Sequence, residues 1–236
     1  MSTHAAPLAL VTGASSGIGL AIAKHLLAQG WRVHGLDISQ TPDLGAQFSG
    51  STLDLMQSDD LANELDRILL HETPQALIHA AGILRVGALG ALSQNEGHVM
   101  WQLHVGVATQ LANRILPLMH AAKSGRMVML GSRVSVGMAG RSQYAASKAA
   151  LVSLARSWAQ ESIMHGVTVN VVSPAATDTP MLQDPQRANT TPKLPPMGRL
   201  IQAEEVAALV SYLVGPHAAA ITGQDIAICG GASVHR

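Results

Sequence analysis

The sequence predicts an α/β fold in which a parallel sheet is covered by helices on both faces, and three observations carry that prediction. Short apolar runs at Leu8–Val11, Arg32–Leu36, Ser51–Leu53, Ala76–Ala80, Met127–Leu130, Val167–Val172 and Ile226–Ile228 alternate with longer helical patterns between most of them, as βαβ units require. The runs lack polar alternation, which is how strands buried on both sides read. A glycine-rich turn joins the first run to the first helical stretch, where such sheets bind their ligands.

With 236 residues the chain is read as one α/β domain over 1–236, long enough for a sizeable core. Charged residues make up only 13%, well below the roughly 25% of an average globular chain. Much of the surface is therefore expected to be covered in a homo-oligomer. Lys+Arg and Asp+Glu both number 15, so no basic face is expected for nucleic acid or an acidic membrane. The lone cysteine, Cys229, excludes an intrachain disulfide and fits a reducing compartment. Met1 to Pro7 has no basic region and runs into an apolar stretch too short for a signal or membrane span, so a cytoplasmic location is expected.

In chain order, the first strand leads into Thr12-Gly13-Ala14-Ser15-Ser16-Gly17-Ile18-Gly19, followed by an amphipathic helix ending near Gly30. Glycines placed between strand and helix allow a tight turn and bring a pyrophosphate close to the free N–H groups of the helix N-terminus. Gly13, Ser15, Ser16, Gly17, Ile18 and Gly19 are therefore candidate cofactor contacts. The second strand ends at Asp37, where a carboxylate accepts hydrogen bonds from the adenosine ribose and repels a 2′-phosphate. Neither Ser16 nor Ile38 supplies the positive charge a 2′-phosphate needs, so the expected cofactor is NAD. Asp54 and Leu55 follow the third strand as candidates for holding the adenine, and a turn or capping role suits Asp54 equally well.

The fourth strand runs into Ala80-Ala81-Gly82, small residues that let backbone lie against a cofactor at a strand's carboxyl end. Arg85, on the loop beyond, is a candidate for an anionic substrate, with a solvated arginine as the plain alternative. Long helices are predicted from about His98 to Met119, holding His104, and from Tyr144 to about His165. The second is apolar around much of its circumference, which requires burial on more than one side. After Val167–Val172 comes a proline-punctuated excursion, 180–198, of a length typical of a lid.

Tyr144 and Lys148 stand four residues apart, so a helix places them on one face. A fixed ammonium there favours the phenolate and draws its pKa down from about 10, which makes Tyr144 a candidate general acid/base. Such a pair alone is common on helix surfaces. Ser132 lies a short loop upstream. No metal-binding cluster is apparent.

Taken together, Thr12-Gly13-(three)-Gly17-Ile18-Gly19, Ala80-Ala81-Gly82, Ser132, Tyr144-(three)-Lys148, Pro174, Thr179 and Thr222-Gly223-Gln224 occur in one order and spacing over nearly the whole chain. In this the chain resembles the short-chain dehydrogenase/reductase family. The resemblance implies a Rossmann-type, doubly wound sheet of seven parallel strands, a nicotinamide cofactor, and often a homotetramer, otherwise a dimer. It implies that Tyr144 exchanges the substrate proton, Ser132 hydrogen-bonds the same oxygen, and Lys148 binds the nicotinamide ribose. Thr179 and the backbone near Thr177 would anchor the carboxamide, with Pro174 and Ala175 beside the cofactor.

Ala80 to Ala88 and Asn170 to Thr179 are also similar to the matching stretches of 2,3-dihydro-2,3-dihydroxybenzoate dehydrogenases, and by that likeness Arg85 would face a carboxylate. Three departures stand out. The family's active-site asparagine falls on His104, to be read as a relay or titrating group or as a satisfied structural histidine. His79, Ala80 and Ala175 replace two asparagines and a glycine. Ser132 is one residue closer to Tyr144 than usual, so the loop bearing Arg133, Met138, Arg141 and Gln143 is expected to shape the substrate pocket, Arg133 and Met138 as candidate contacts. The function expected is NAD-dependent interconversion of a secondary alcohol and a ketone. The alternatives are a nicotinamide-retaining epimerase or dehydratase and a catalytically degenerate nucleotide-binding regulator.

Overall fold

The computed structural model describes residues 6–184 and 193–234. Seven strands, β1 (Leu8–Thr12), β2 (Arg32–Asp37), β3 (Phe48–Thr52), β4 (Ala76–His79), β5 (Gly125–Leu130), β6 (Val167–Pro174) and β7 (Asp225–Ile228), form one sheet in the order β3-β2-β1-β4-β5-β6-β7. Every pairing is parallel. The helices are α1 (Gly17–Ala28), α2 (Ser58–Leu69), α3 (Gln94–Trp101), α4 (Val107–Ala121), α5 (Ser142–Ser162) and α6 (Ala203–Val214).

Successive side chains of a strand point to opposite faces, and the core divides accordingly. Leu10, Leu77, Met127, Met129 and Val169 meet Leu61, Leu65, Leu111, Ile115 and Leu151 of α2, α4 and α5. Ala9, Val11, Ile78, Val128 and Val172 meet Ile22, Leu26, Val206 and Val210 of α1 and α6. The apolar runs are thus continuous because both faces are covered.

Strand ends shift by one or two residues, as β5 starting at Gly125 and β6 ending at Pro174, and two elements differ more from the sequence reading. β3 starts at Phe48 rather than Ser51 and its residues are half-buried or exposed, since it is an edge strand of Ser, Gly and Thr with little apolar signal. The helix expected over His98–Met119 is divided: α3 ends at Trp101, a π-helical turn spans Gln102–Gly106, and α4 resumes at Val107. Of the segment 180–198, Pro180–Gln183 forms a 3₁₀ turn, while 185–192 lies outside the described residues. No helix among the described residues is long and apolar enough to cross a membrane.

Candidate active site

Chain order reverses in the sheet between β1 and β4, and a crevice opens at the carboxyl ends of the strands at such a switch point. Here it is a cleft of about 1310 Å³ lined by Gly13, Asp37, Gly82, Ser132, Tyr144, Lys148 and Thr179, among others.

The glycine-rich turn forms one wall. Gly13 has φ +73°, and a Cβ there would come 2.8 Å from the Ala81 nitrogen. A Cβ on Gly19 would lie 2.0 Å from the Gly13 carbonyl oxygen. Both positions exclude any side chain, which keeps the backbone close-packed and leaves the N-terminus of α1 open to an anion. Ser16, Gly17 and Ile18 line the cleft beside them. Ser15 is the exception: its backbone N–H donates to Asp37 Oδ2 at 2.9 Å, and Asp37 Oδ1 accepts from Ser39 N at 3.0 Å. Asp37 is buried at the end of β2 and lines the cleft. Asp54 also lines it, with Oδ1 accepting from Met56 N at 2.9 Å in a local turn, beside buried Leu55.

The floor is built on Thr12, the last residue of β1. Its hydroxyl accepts from the N–H groups of Ala80 and Ala81, both at 3.1 Å, and so donates its one proton to His79 Nδ1 at 2.9 Å. The His79 Nε2–H then faces the carbonyls of Leu103 and His104 in the π turn without a hydrogen bond of normal geometry. Burial holds the His79 pKa down at about 3.

His104 is fully buried in the π turn. The Ile83 N–H donates to its Nε2 at 3.1 Å, which leaves Nδ1 as the protonated nitrogen, donating to Ser147 Oγ at 2.9 Å. That hydroxyl donates to the Tyr144 carbonyl at 2.9 Å. Both ring nitrogens are therefore satisfied inside the protein, and burial, with the nearby Lys148 charge, keeps the imidazole neutral well below its ordinary pKa. The chain of bonds ties the Gly82–Ile83 backbone to α5.

Tyr144 and Lys148 lie one turn apart on the buried face of α5, 9% and 5% exposed. The Lys148 Nζ sits 5.8 Å from the Tyr144 ring centroid and donates to the Leu130 carbonyl at 2.8 Å. Burial pushes the Lys148 pKa down to about 7. Ser132, at the end of β5, is nearly buried and caps a 3₁₀ turn over Arg133–Val136.

Pro174, Ala175, Thr177 and Thr179 line the same cleft from the end of β6. Thr177 Oγ1 donates to the Ala175 carbonyl at 3.0 Å, and Thr179 Oγ1 to the Thr177 carbonyl at 3.4 Å. Arg133 and Met138 border the cleft, as does Arg85. The Arg85 charge is already engaged, with Nε 3.0 Å from Glu96 and Nη1 3.2 Å from Asp184. The candidate catalytic, cofactor and substrate residues other than Ser15 and His104 line this one cleft, and both of those brace its walls, whereas Gln143 does not line it and donates to the Ser93 carbonyl at 3.0 Å. Thr12 as the hub of the floor and Ser147 as the link to His104 were not legible as such, although Thr12 opens the glycine motif and Ser147 falls inside the Tyr144–Lys148 turn.

A family model described as enoyl-(acyl carrier protein) reductase matches residues 13–233. The chain is 34% identical to the 3-oxoacyl-[acyl-carrier-protein] reductase FabG of Salmonella typhimurium, over 95% of this chain and 96% of the relative. It is 35% identical to the same-named enzyme of Pseudomonas aeruginosa, with 95% and 96% covered. Among solved structures it is similar to an aldohexose dehydrogenase of Thermoplasma acidophilum, with a TM-score of 0.89 at 25% identity over 98% of this chain and 95% of that one. It is equally similar to an actinorhodin polyketide ketoreductase solved with NADPH, with a TM-score of 0.89 at 27% identity and both chains fully covered. The fold, the cleft and these relatives agree: the chain belongs to the short-chain dehydrogenase/reductase family of oxidoreductases.

Proposed function

We propose that this protein is an NAD-dependent oxidoreductase interconverting a secondary alcohol and a ketone, with a cyclic or dihydrodiol substrate such as 2,3-dihydro-2,3-dihydroxybenzoate. The observation that carries the reading is Tyr144 and Lys148 on one buried face of α5, opening into the same cleft as Ser132 and the Gly13–Gly19 turn. The nicotinamide, when bound, supplies the hydride chemistry. The chain's own residues bind, orient and move a proton.

In this reading the glycine turn cradles the pyrophosphate. Asp37 accepts from the adenosine ribose hydroxyls, and Asp54 and Leu55 border the adenine. Ala80, Ala81, Gly82, Pro174 and Ala175 flank the cofactor, and Thr177 and Thr179 hold its carboxamide. Ser132 donates a hydrogen bond to the substrate oxygen, and the Tyr144 phenol gives up or takes the proton there. Lys148 exchanges its bond to the Leu130 carbonyl for the nicotinamide ribose. NAD is preferred because, among the described residues, the charged groups lining the adenosine end are the carboxylates Asp37 and Asp54.

The 180–198 segment acts as a lid, and a cytoplasmic homotetramer is the expected state. A second reading, reduction of a 3-oxoacyl thioester, is favoured by the names of the relatives at 34–35% identity and by the apolar side chains Ile83, Leu84, Val99, Met138 and Leu194 on the substrate side.

NADH absorbance tests both, with dihydrodiols, cyclic alcohols and ketones set against acetoacetyl thioesters, and Tyr144→Phe as control. Turnover is expected with a cyclic substrate and is lost by about a hundredfold or more in the variant, with NAD affinity changed no more than a few-fold. Equal turnover in the variant would remove the phenol from the mechanism.

A further inference from the structure

We infer that Arg133 and Arg141 form an anion subsite at the substrate end of the cleft, so that the substrate carries a carboxylate or a phosphate beside its reacting oxygen. The inference rests on the oxidoreductase reading above and adds the substrate's charge. Charge along the cleft is sorted. Among the described residues its carboxylates are Asp37, which ends β2, and Asp54, just after β3, on one side of β1, while Arg85, Arg133, Arg141, Lys148 and Lys193 line the cleft elsewhere.

Most of these cations are accounted for. Lys148 is bonded to the Leu130 carbonyl. Arg85 is neutralised by Glu96 and Asp184, neither of which lines the cleft. Lys193 is exposed at the mouth. Arg133 makes one long hydrogen bond, from Nη1 to the Ala232 carbonyl at 3.3 Å. Among the described residues Arg141 makes no side-chain hydrogen bond or ion pair, and neither guanidinium meets a carboxylate.

This sets the pair apart from the other described arginines. Arg32, Arg67, Arg85, Arg114 and Arg199 all pair with Asp or Glu. Arg126 donates to the Gly125 and Gly166 carbonyls, and Arg156 is exposed on α5. Arg133 and Arg141 are half-buried with most of their donors unused. A guanidinium in that state offers a planar fork matched to two oxygens of one anion. Their positions suit the chemistry: Arg133 follows Ser132, and Arg141 immediately precedes α5, three residues before Tyr144. An anion held between them would set the substrate's orientation against both. The charge sought in Arg85 is thus supplied by Arg133 and Arg141 of the same cleft.

Carboxylate and phosphate share this chemistry, and calorimetry with NAD-saturated protein separates them. Benzoate is compared with benzamide, and phosphopantetheine with pantetheine. The anion of at least one pair is expected to bind about tenfold tighter than its neutral partner. Arg133→Met and Arg141→Met should each shrink that ratio, and the double variant should abolish it, with NAD affinity unchanged. Arg133→Lys keeps the charge and should retain part of the preference, which guards against a folding defect.

A benzoate preference assigns a small carboxylate substrate, and a phosphopantetheine preference assigns a carrier or coenzyme thioester. Equal binding of anion and neutral partner, or a preference surviving in the double variant, overturns the subsite. A clear preference alongside a silent NADH assay would instead overturn the reaction and leave the subsite standing.

Discussion

Asp37 braces the protein before it meets any ligand. One carboxylate oxygen holds the Ser15 N–H of the glycine-rich turn and the other holds Ser39 N, so the residue expected to select the cofactor also shapes its cradle. Asp37→Ala therefore has two separable effects. Losing the charge removes repulsion of a 2′-phosphate, and preference for NAD over NADP should fall by about tenfold. Losing the bond to Ser15 loosens the turn, and affinity for both cofactors should weaken by about 1–3 kcal/mol, the usual worth of a hydrogen bond to a charged group. Dissociation constants for both cofactors measure each effect, and an unchanged NAD/NADP ratio would move Asp37 away from the ribose. Residue chemistry of this kind was legible only as far as position goes: Asp37 ends β2, the neighbour of β1, and lines the cleft. It was not legible at Arg85, whose carboxylates come from Glu96 on α3 and from Asp184, which lies 99 residues away.

Among the elements, the sheet was legible in the alternation of strands and helices, because burial on both faces leaves mostly apolar runs in interior strands such as β1 and β4, although β2 and β6 also bury His34, Thr168 and Asn170. The π turn at Gln102–Gly106 left no such trace: Gln, Leu, His, Val and Gly carry no signal that separates it from a continuous helix. That turn aims His104 at both the Ile83 N–H and Ser147, joining the backbone after β4 to α5. His104→Leu would leave the Ile83 N–H without its partner and disturb the Ser147 bond, a loss of about 1–3 kcal/mol. His104→Asn should recover part of it. The kinetic signature is a raised KM for NAD, with kcat less affected. Because the imidazole is neutral well below its ordinary pKa, the pH profiles of wild type and His104→Asn should superimpose through the neutral range. An ionisation lost from the profile of His104→Asn would show that the histidine titrates and acts as a proton carrier.

At the scale of the whole molecule, the buried histidines make stability depend on pH with a definite sign. His79 and His104 are held neutral in the native state, His79 down to about 3 and His104 well below the ordinary value of 6.5. In the unfolded chain each takes up a proton as pH falls below 6.5, while the native state does not. The contribution of these histidines is therefore full above 6.5 and declines as pH drops, by about 1.4 kcal/mol per pH unit for each. For His79 the decline continues towards pH 3, where the native ring is finally protonated. His34 adds to the effect more weakly, since burial lowers its pKa while Glu64 opposes the shift. Urea midpoints for wild type at pH 7.5 and 5 should fall steeply, and His79→Asn should show a shallower fall over the same interval. Parallel falls would mean that native His79 accepts a proton in that range. Both rings bond to the backbone flooring the cleft, His79 through Thr12 to Ala80 and Ala81, and His104 to Ile83. Because the native rings stay neutral while the unfolded chain takes up the protons, these bonds keep their geometry as pH falls, and cofactor affinity should hold until global unfolding sets in.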